Sequence, residues 1–192
     1  MSFITGTSAE VLYSSVATGT QLLSFTTEDN LMKTLPYCII PAGFFYNNGA
    51  TGKTLHVKAC GRLGTTGTPT FTFNLRLLTS STWSAGGIGF ASAAITCGSG
   101  VTLAPWFMEA EITMRAVGAA AGSTIAVMGE MRGGTAFAAG GGVYSIPGAN
   151  VAFTAATYDH SLTNYLFLSA ACGTNNASNL IQLEMLKVYG EN

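Results

Sequence analysis

Charge is what this sequence has least of. Its 192 residues include eight Lys or Arg and nine Asp or Glu, 9% in all, where globular proteins average about 25%. The eight basic residues are scattered singly, so no cluster exists to neutralise a phosphate backbone, and nucleic acid is not expected as a partner. Long apolar runs are missing too. Residues 77–108 and 133–158 carry no charged side chain, yet Gly, Pro, Ser, Thr and Asn interrupt both, as at Gly140-Gly141-Gly142 and Pro147-Gly148. A spanning helix needs about 20 predominantly apolar residues in a row, so no membrane segment is expected. Met1–Glu10 lacks a basic start and an apolar stretch, so no export signal is expected. Cys38, Cys60, Cys97 and Cys172 form no C-x-x-C pair, and two histidines are too few to complete a zinc set around them. The four read as small buried apolar residues in a reducing compartment. No segment holds a 3.6-residue apolar period over three turns.

What is present is glycine, aromatic and β-branched residues, and alternation. There are 24 glycines, 10% of residues are aromatic, the net charge is -1 and the mean hydropathy is +0.38. Disordered chains are poor in aromatics and often highly charged, so this one is expected to fold. With near-zero net charge it is expected to associate. From Lys53, Leu55, Val57, Ala59, Gly61 and Leu63 share one face, with His56, Lys58, Cys60 and Arg62 opposite. After the turn Gly64–Pro69, Phe71, Phe73, Leu75 and Leu77 alternate with Thr72, Asn74 and Arg76, and the two runs read as a hairpin. Trp106, Met108, Ala110, Ile112 and Met114 form a third apolar face, with Glu109, Glu111, Thr113 and Arg115 outward. Ile125, Val127 and Met131 continue the pattern. In the last run Ile181, Leu183, Met185 and Lys187 alternate with Gln182, Glu184 and Leu186. About eleven such segments, with weaker ones near 10–17, 21–27, 35–40 and 88–95, predict an all-β protein. The expected fold is a jelly-roll-like two-sheet antiparallel β-sandwich with an N-terminal arm. Residues 1–35 form the arm and edge strands, and residues 36–192 the sandwich domain.

Motifs that suggest chemistry fail on spacing or context. Asn47–Thr54 ends like a phosphate-binding loop, but Asn47 stands where the first glycine is required and Lys53 opens a strand. Asp159-His160-Ser161 is contiguous, whereas catalytic triads are assembled from distant parts of a fold; a polar turn is expected. Glu109 and Glu111 lie on one strand face and are carboxylates that a glycosidase would need. Cross-strand pairing with Lys58 or Arg62 is the expectation instead. Asn176-Ala177-Ser178 is a sequon that matters only in a secreted eukaryotic protein. Catalytic, cofactor-binding and metal-binding residues are therefore all expected to be absent, although loop Asp and Asn residues can bind Ca²⁺ without a readable motif. Phe44, Phe45 and Tyr46, set between Gly43 and Gly49, form a candidate partner-contact loop.

Three stretches carry a resemblance: IPAGFF with GKTLHVKACGRLGTTGTPTFTFNLRL in residues 40–77, APWFMEAEITMRAVGAAAGSTIAVMGEM in 104–131, and LFLSAACGTNNASNLIQLEMLKV in 166–188. Together, in this order and over about half the chain, they resemble jelly-roll minor structural proteins of tailed bacteriophages, which decorate heads or build tails. The resemblance implies a non-enzymatic virion protein assembled in the host cytoplasm. It implies a homotrimer that contacts the major capsid protein, with capsid decoration as the role and no cofactor. It implies no catalytic residue. The first 35 residues fall outside it, and as an arm they would reach a neighbouring subunit. The alternative expectation is a tail or fibre module that binds a receptor or carbohydrate, with Trp83, Trp106 and Tyr46 as its aromatic platform.

Overall fold

A computed structural model describes residues 9–47, 50–137 and 142–191. The arm residues 1–8, Asn48 and Gly49 of the 47–54 turn, and Gly140 and Gly141 lie outside them. The strands are β1 (Glu10–Ser15), β2 (Leu22–Leu23), β3 (Asp29–Asn30), β4 (Cys38–Ile40), β5 (Tyr46–Asn47) and β6 (Ala50–Thr51). Long strands follow as β7 (Thr54–Gly64) and β8 (Thr70–Leu78), then the short β9 (Ile88–Ala91) and β10 (Ile95–Thr96). The second half holds β11 (Ala104–Ala116), β12 (Ser123–Arg132), β13 (Val143–Ile146), β14 (Thr154–Tyr158), β15 (Asn164–Cys172) and β16 (Leu180–Glu191).

Two antiparallel sheets form a sandwich. The large sheet runs β1-β16-β7-β11-β12-β13, with β14 also on β12 and β2 on β16. The small sheet runs β10-β8-β15-β3, with β4 also on β15 and β9 on β8. Take β1, β4, β7, β8, β9, β11, β15 and β16 as a framework of eight. The first, eighth, third and sixth strands then lie together in one sheet, and the second, seventh, fourth and fifth in the other. That is jelly-roll pairing, and β12, β13 and β14 widen the large sheet beyond it.

The core fills the space between the sheets because each long strand alternates. Leu55, Val57 and Leu63 of β7 and Trp106, Met108 and Ile112 of β11 face Phe71, Phe73 and Leu75 of β8 and Leu166 and Leu168 of β15, all almost fully buried. Each such side chain contributes about 1.5–3 kcal/mol by leaving water. Trp106 stands across the gap from Phe73, ring centres 5.3 Å apart. Its β7 neighbour is Gly61, where a Cβ would lie 2.6 Å from the indole and 2.0 Å from the carbonyl of Gln182. Position 61 is glycine because the ring occupies the volume of a side chain.

The structure corrects two sequence expectations. The runs 53–63 and 70–77 are not a hairpin. β7 pairs with β11 and β16, β8 with β15, β9 and β10, and residues 65–69 step from one sheet to the other. The Thr65 amide donates to the carbonyl of Val101 at 2.9 Å, and the Thr66 amide donates to Asn179 Oδ1 at 2.9 Å. Two apolar faces give the same alternation whether they lie side by side or oppose each other, so periodicity alone does not separate the cases. Second, Met185 and Lys187 do not share the face of Ile181 and Leu183. Leu183 pairs with Gly61 and Met185 with Cys60, so Glu184 is an extra residue in a β-bulge. Beyond it Leu186 and Val188 are buried, while Met185 is 45% exposed.

Residues 16–37 run along the sandwich edge and are tied to it by charge. Arg76 of β8 grips Glu28 in a two-pronged pair, Nε to Oε1 at 2.7 Å and Nη2 to Oε2 at 2.5 Å. The Ser169 hydroxyl donates to the same Oε1 at 2.5 Å.

Candidate functional site

The outer face of the large sheet holds most of the chain's charge. Lys58 and Arg62 of β7, Glu109, Glu111 and Arg115 of β11, Glu130 and Arg132 of β12, and Glu184, Lys187 and Glu191 of β16 all lie on it. These are ten of the 17 charged residues. The β-bulge explains part of this concentration, because it turns Lys187 outward into line with Lys58. Lys58 Nζ sits 3.2 Å from Glu109 Oε1, as expected from the sequence, and the Glu109 carboxylate raises the ammonium pKa. Arg62 pairs instead with Glu184 at 3.5 Å, and Arg132 with Glu130. His56 stacks on Tyr189, ring centres 4.8 Å apart. It lies 3.4 Å from Glu111 and 3.1 Å from Glu191. Solvent screens such exposed pairs, so they add little to stability.

Large apolar side chains interrupt the charges. Met128 is 64% exposed, Phe107 51% and Met185 45%. Two shallow troughs cross the face. One of ≈ 510 Å³ is lined by His56, Lys58, Glu109, Glu111, Met128 and Tyr189. The other, ≈ 370 Å³, is lined by Cys60, Phe107, Arg132 and Met185.

The loop aromatics behave differently from one another. Phe44 and Phe45 are buried. Phe45 meets Tyr158 edge-on at 5.6 Å, and Lys53 Nζ lies 5.2 Å from the Phe44 ring centre. Phe44 lies over Gly190 of β16 and Phe45 against Tyr158 of β14, which withdraws both rings from partner contact. Tyr46 alone stays at the surface, 5.4 Å from the His160 ring. Asp159, His160 and Ser161 form a polar turn: Asp159 Oδ1 accepts from the Ser161 amide at 2.9 Å and its hydroxyl at 2.6 Å. His160 Nδ1 lies 2.8 Å from Ser123 Oγ, a hydroxyl without solvent access that also accepts from the Gly118 amide at 3.1 Å.

On the opposite side, a cleft of ≈ 300 Å³ is lined by Leu35, Pro36, Tyr37, Trp83 and Phe167, with Lys33, Ser81 and Thr82 at its margin. Trp83 packs edge-on against Phe167 at 5.5 Å, and Tyr37 meets Tyr165 edge-on at 6.1 Å. Trp106, expected in an exposed platform, is fully buried. Sequence reading missed Tyr37 and Phe167, because the cleft joins residues more than a hundred positions apart.

Among the described residues no group of three or more His, Cys, Asp or Glu is placed to hold a metal, and no helix is long and apolar enough to cross a membrane. All four cysteines are unpaired. Burial pushes the thiols of Cys38 and Cys97 up to about 12.

No family model and no curated protein matches the chain. Among solved structures it is similar to the CBM2 module of the evolved Dit of Lactobacillus casei BL23 phage J-1, at 11% identity and a TM-score of 0.36, over 96% of each chain. It is also similar to peanut lectin solved with a 9mer peptide, at 9% identity and a TM-score of 0.35, over 100% of this chain and 94% of the lectin. At such values neither likeness bears on which residues act or on what they bind.

Proposed function

We propose that this protein is a non-enzymatic structural component of a tailed-phage virion, with decoration of the head surface as its role. One observation carries the reading: a jelly roll gathers ten of its 17 charged residues on one sheet face and leaves large apolar side chains exposed over the rest of its surface. Side chains such as Val16, Tyr37, Ile39, Phe153 and Leu162 stand exposed there. A subunit covered by neighbours on several sides needs few solvating charges, and scattered apolar side chains then become contacts rather than liabilities. The mechanism is mechanical. Each copy adds buried apolar area and hydrogen bonds to a shell, and the shell resists rupture through the sum. Its partners are further copies of itself and the major capsid protein.

The aromatic cleft favours a second reading, a tail or fibre module that binds carbohydrate. Tyr37 and Trp83 supply ring surface for sugar C–H groups, and Ser81, Thr82 and Lys33 supply hydrogen bonds. Immunogold microscopy of purified particles separates the two. Label over the heads supports decoration. Label on tails, together with glycan binding lost in Trp83→Ala, supports the second reading, and particles without label exclude both.

A further inference from the structure

We infer that the outer face of the large sheet is a two-fold interface with a second copy of this chain. The reasoning starts from the register of four adjacent strands, β16-β7-β11-β12. One row across them reads Lys187, Lys58, Glu109, Glu130; the next reads Met185, Cys60, Phe107, Arg132; a third reads Tyr189, His56, Glu111, Met128. Lys187 lies directly beside Lys58, and Glu109 directly beside Glu130. Like charges in directly opposed positions destabilise a sheet, and within one chain the Lys58–Glu109 pair at the middle of the row offsets only part of that cost.

A second copy removes that cost. Place a two-fold axis parallel to the strands, between β7 and β11, and bring the two faces together. The operation carries β16 over β12 and β7 over β11. Lys187 then faces Glu130 of the opposite copy, and Lys58 faces its Glu109. In the neighbouring rows His56 meets Glu111, Tyr189 meets Met128, Cys60 meets Phe107, and the thioether of Met185 lies along the Arg132 stem. Each of these three central rows is complementary to itself under one rotation, as an isologous contact requires. The exposed Met128, Phe107 and Met185 supply the apolar centre, and Phe107 enters the trough beside Cys60.

The size fits. Four strands about 4.8 Å apart and about eleven residues long make a face of roughly 700 Å², close to the ~800 Å² per partner of a standard specific interface. Faces of two sheets pack with their strands within about 30° of each other, which keeps the central rows in register. The inference rests on this face alone, whatever particle or surface the protein occupies.

Two charge-reversed variants test it by sedimentation velocity at low and moderate salt. Lys58→Glu with Lys187→Glu makes the Lys187-Lys58-Glu109-Glu130 row wholly acidic, and Glu109→Lys with Glu130→Lys makes that row wholly basic. Wild type is expected to sediment as a dimer, and each variant alone as a monomer, with self-association weakened about 100-fold or more by like-charge contact. Mixed one to one, the two variants are expected to restore a dimer. All four positions are exposed or half-buried, so both variants are expected to fold, and far-UV circular dichroism with a thermal melt checks that. Phe107→Asp with Met128→Asp gives a second line, expected to be monomeric with all four charged residues of the central row kept. A monomeric wild type, variants that keep the wild-type mass, or a mixture that stays monomeric would each overturn the inference. So would a trimer indifferent to charge reversal.

Discussion

At the scale of single residues, the sharpest constraint is Gly61. The indole of Trp106 lies where its side chain would be, and the Gln182 carbonyl closes the other direction. Gly61→Ala must therefore displace a fully buried ring or a strand, at about 3 kcal/mol or more, which urea unfolding measures directly. The cysteines make two further predictions. Native protein treated with iodoacetamide at pH 8 is expected to label at Cys60 alone, slowly, because burial and then Glu184 raise that thiol too. Peptide mass spectrometry reads the result, and labelling of Cys38 or Cys97 in folded protein would contradict the burial described. Both buried thiols keep their protons to about 12, whereas an unfolded thiol releases its proton near 8.5. The unfolded state then binds fewer protons above about pH 8.5, so their contribution to stability is complete below that value and declines toward pH 12. The urea midpoint at pH 10 is expected to fall below that at pH 7.5. Single residues were only partly legible in the sequence. The Lys58–Glu109 pair follows from alternation, but burial of Phe44, Phe45 and Trp106 does not, because a run of letters does not say which other strands lie against a ring.

Elements were read more easily than their partners. β7, β8 and β11 present the apolar faces their alternation predicts, since a half-buried strand has no other way to satisfy both surroundings. What alternation omits is pairing and interruption. The crossing at residues 65–69 and the bulge at Glu184 depend on contacts from Val101, Asn179 and Gly61, all distant in sequence. The bulge yields an unusual expectation. Deleting Glu184 leaves Leu186 and Val188 facing inward in an uninterrupted strand, so the variant is expected to fold and lose only the Arg62 pair. Deleting Leu186 instead carries Lys187 toward the core and is expected to abolish cooperative melting. Arg76→Ala tests the tie between residues 16–37 and the small sheet. It strands the largely buried Glu28, side chain 14% exposed beside an arginine at 16%, and is expected to cost about 3 kcal/mol in chemical denaturation.

For the whole molecule, the jelly roll joins strands that are far apart along the chain, and such topologies fold in milliseconds to seconds rather than microseconds. Stopped-flow refolding is expected to fall in that slow range. The fold class was legible because strand count, turn spacing and the lack of helical period all agree. The two surfaces that matter were not: one needs four strands in register, the other joins the segment at Tyr37 to the loop at Trp83 and to Phe167 of β15.

The position of β16 has a consequence for synthesis. It follows every other described strand along the chain, yet it lies inside the large sheet, with β7 on one side and β1 and β2 on the other. Until β16 has cleared the ribosome, β1 and β2 have no strand to pair with and one edge of β7 stays open. A nascent chain therefore cannot complete the large sheet before β16 emerges, and interruption of translation anywhere before Leu180 leaves a product for proteolysis rather than a competitor for assembly.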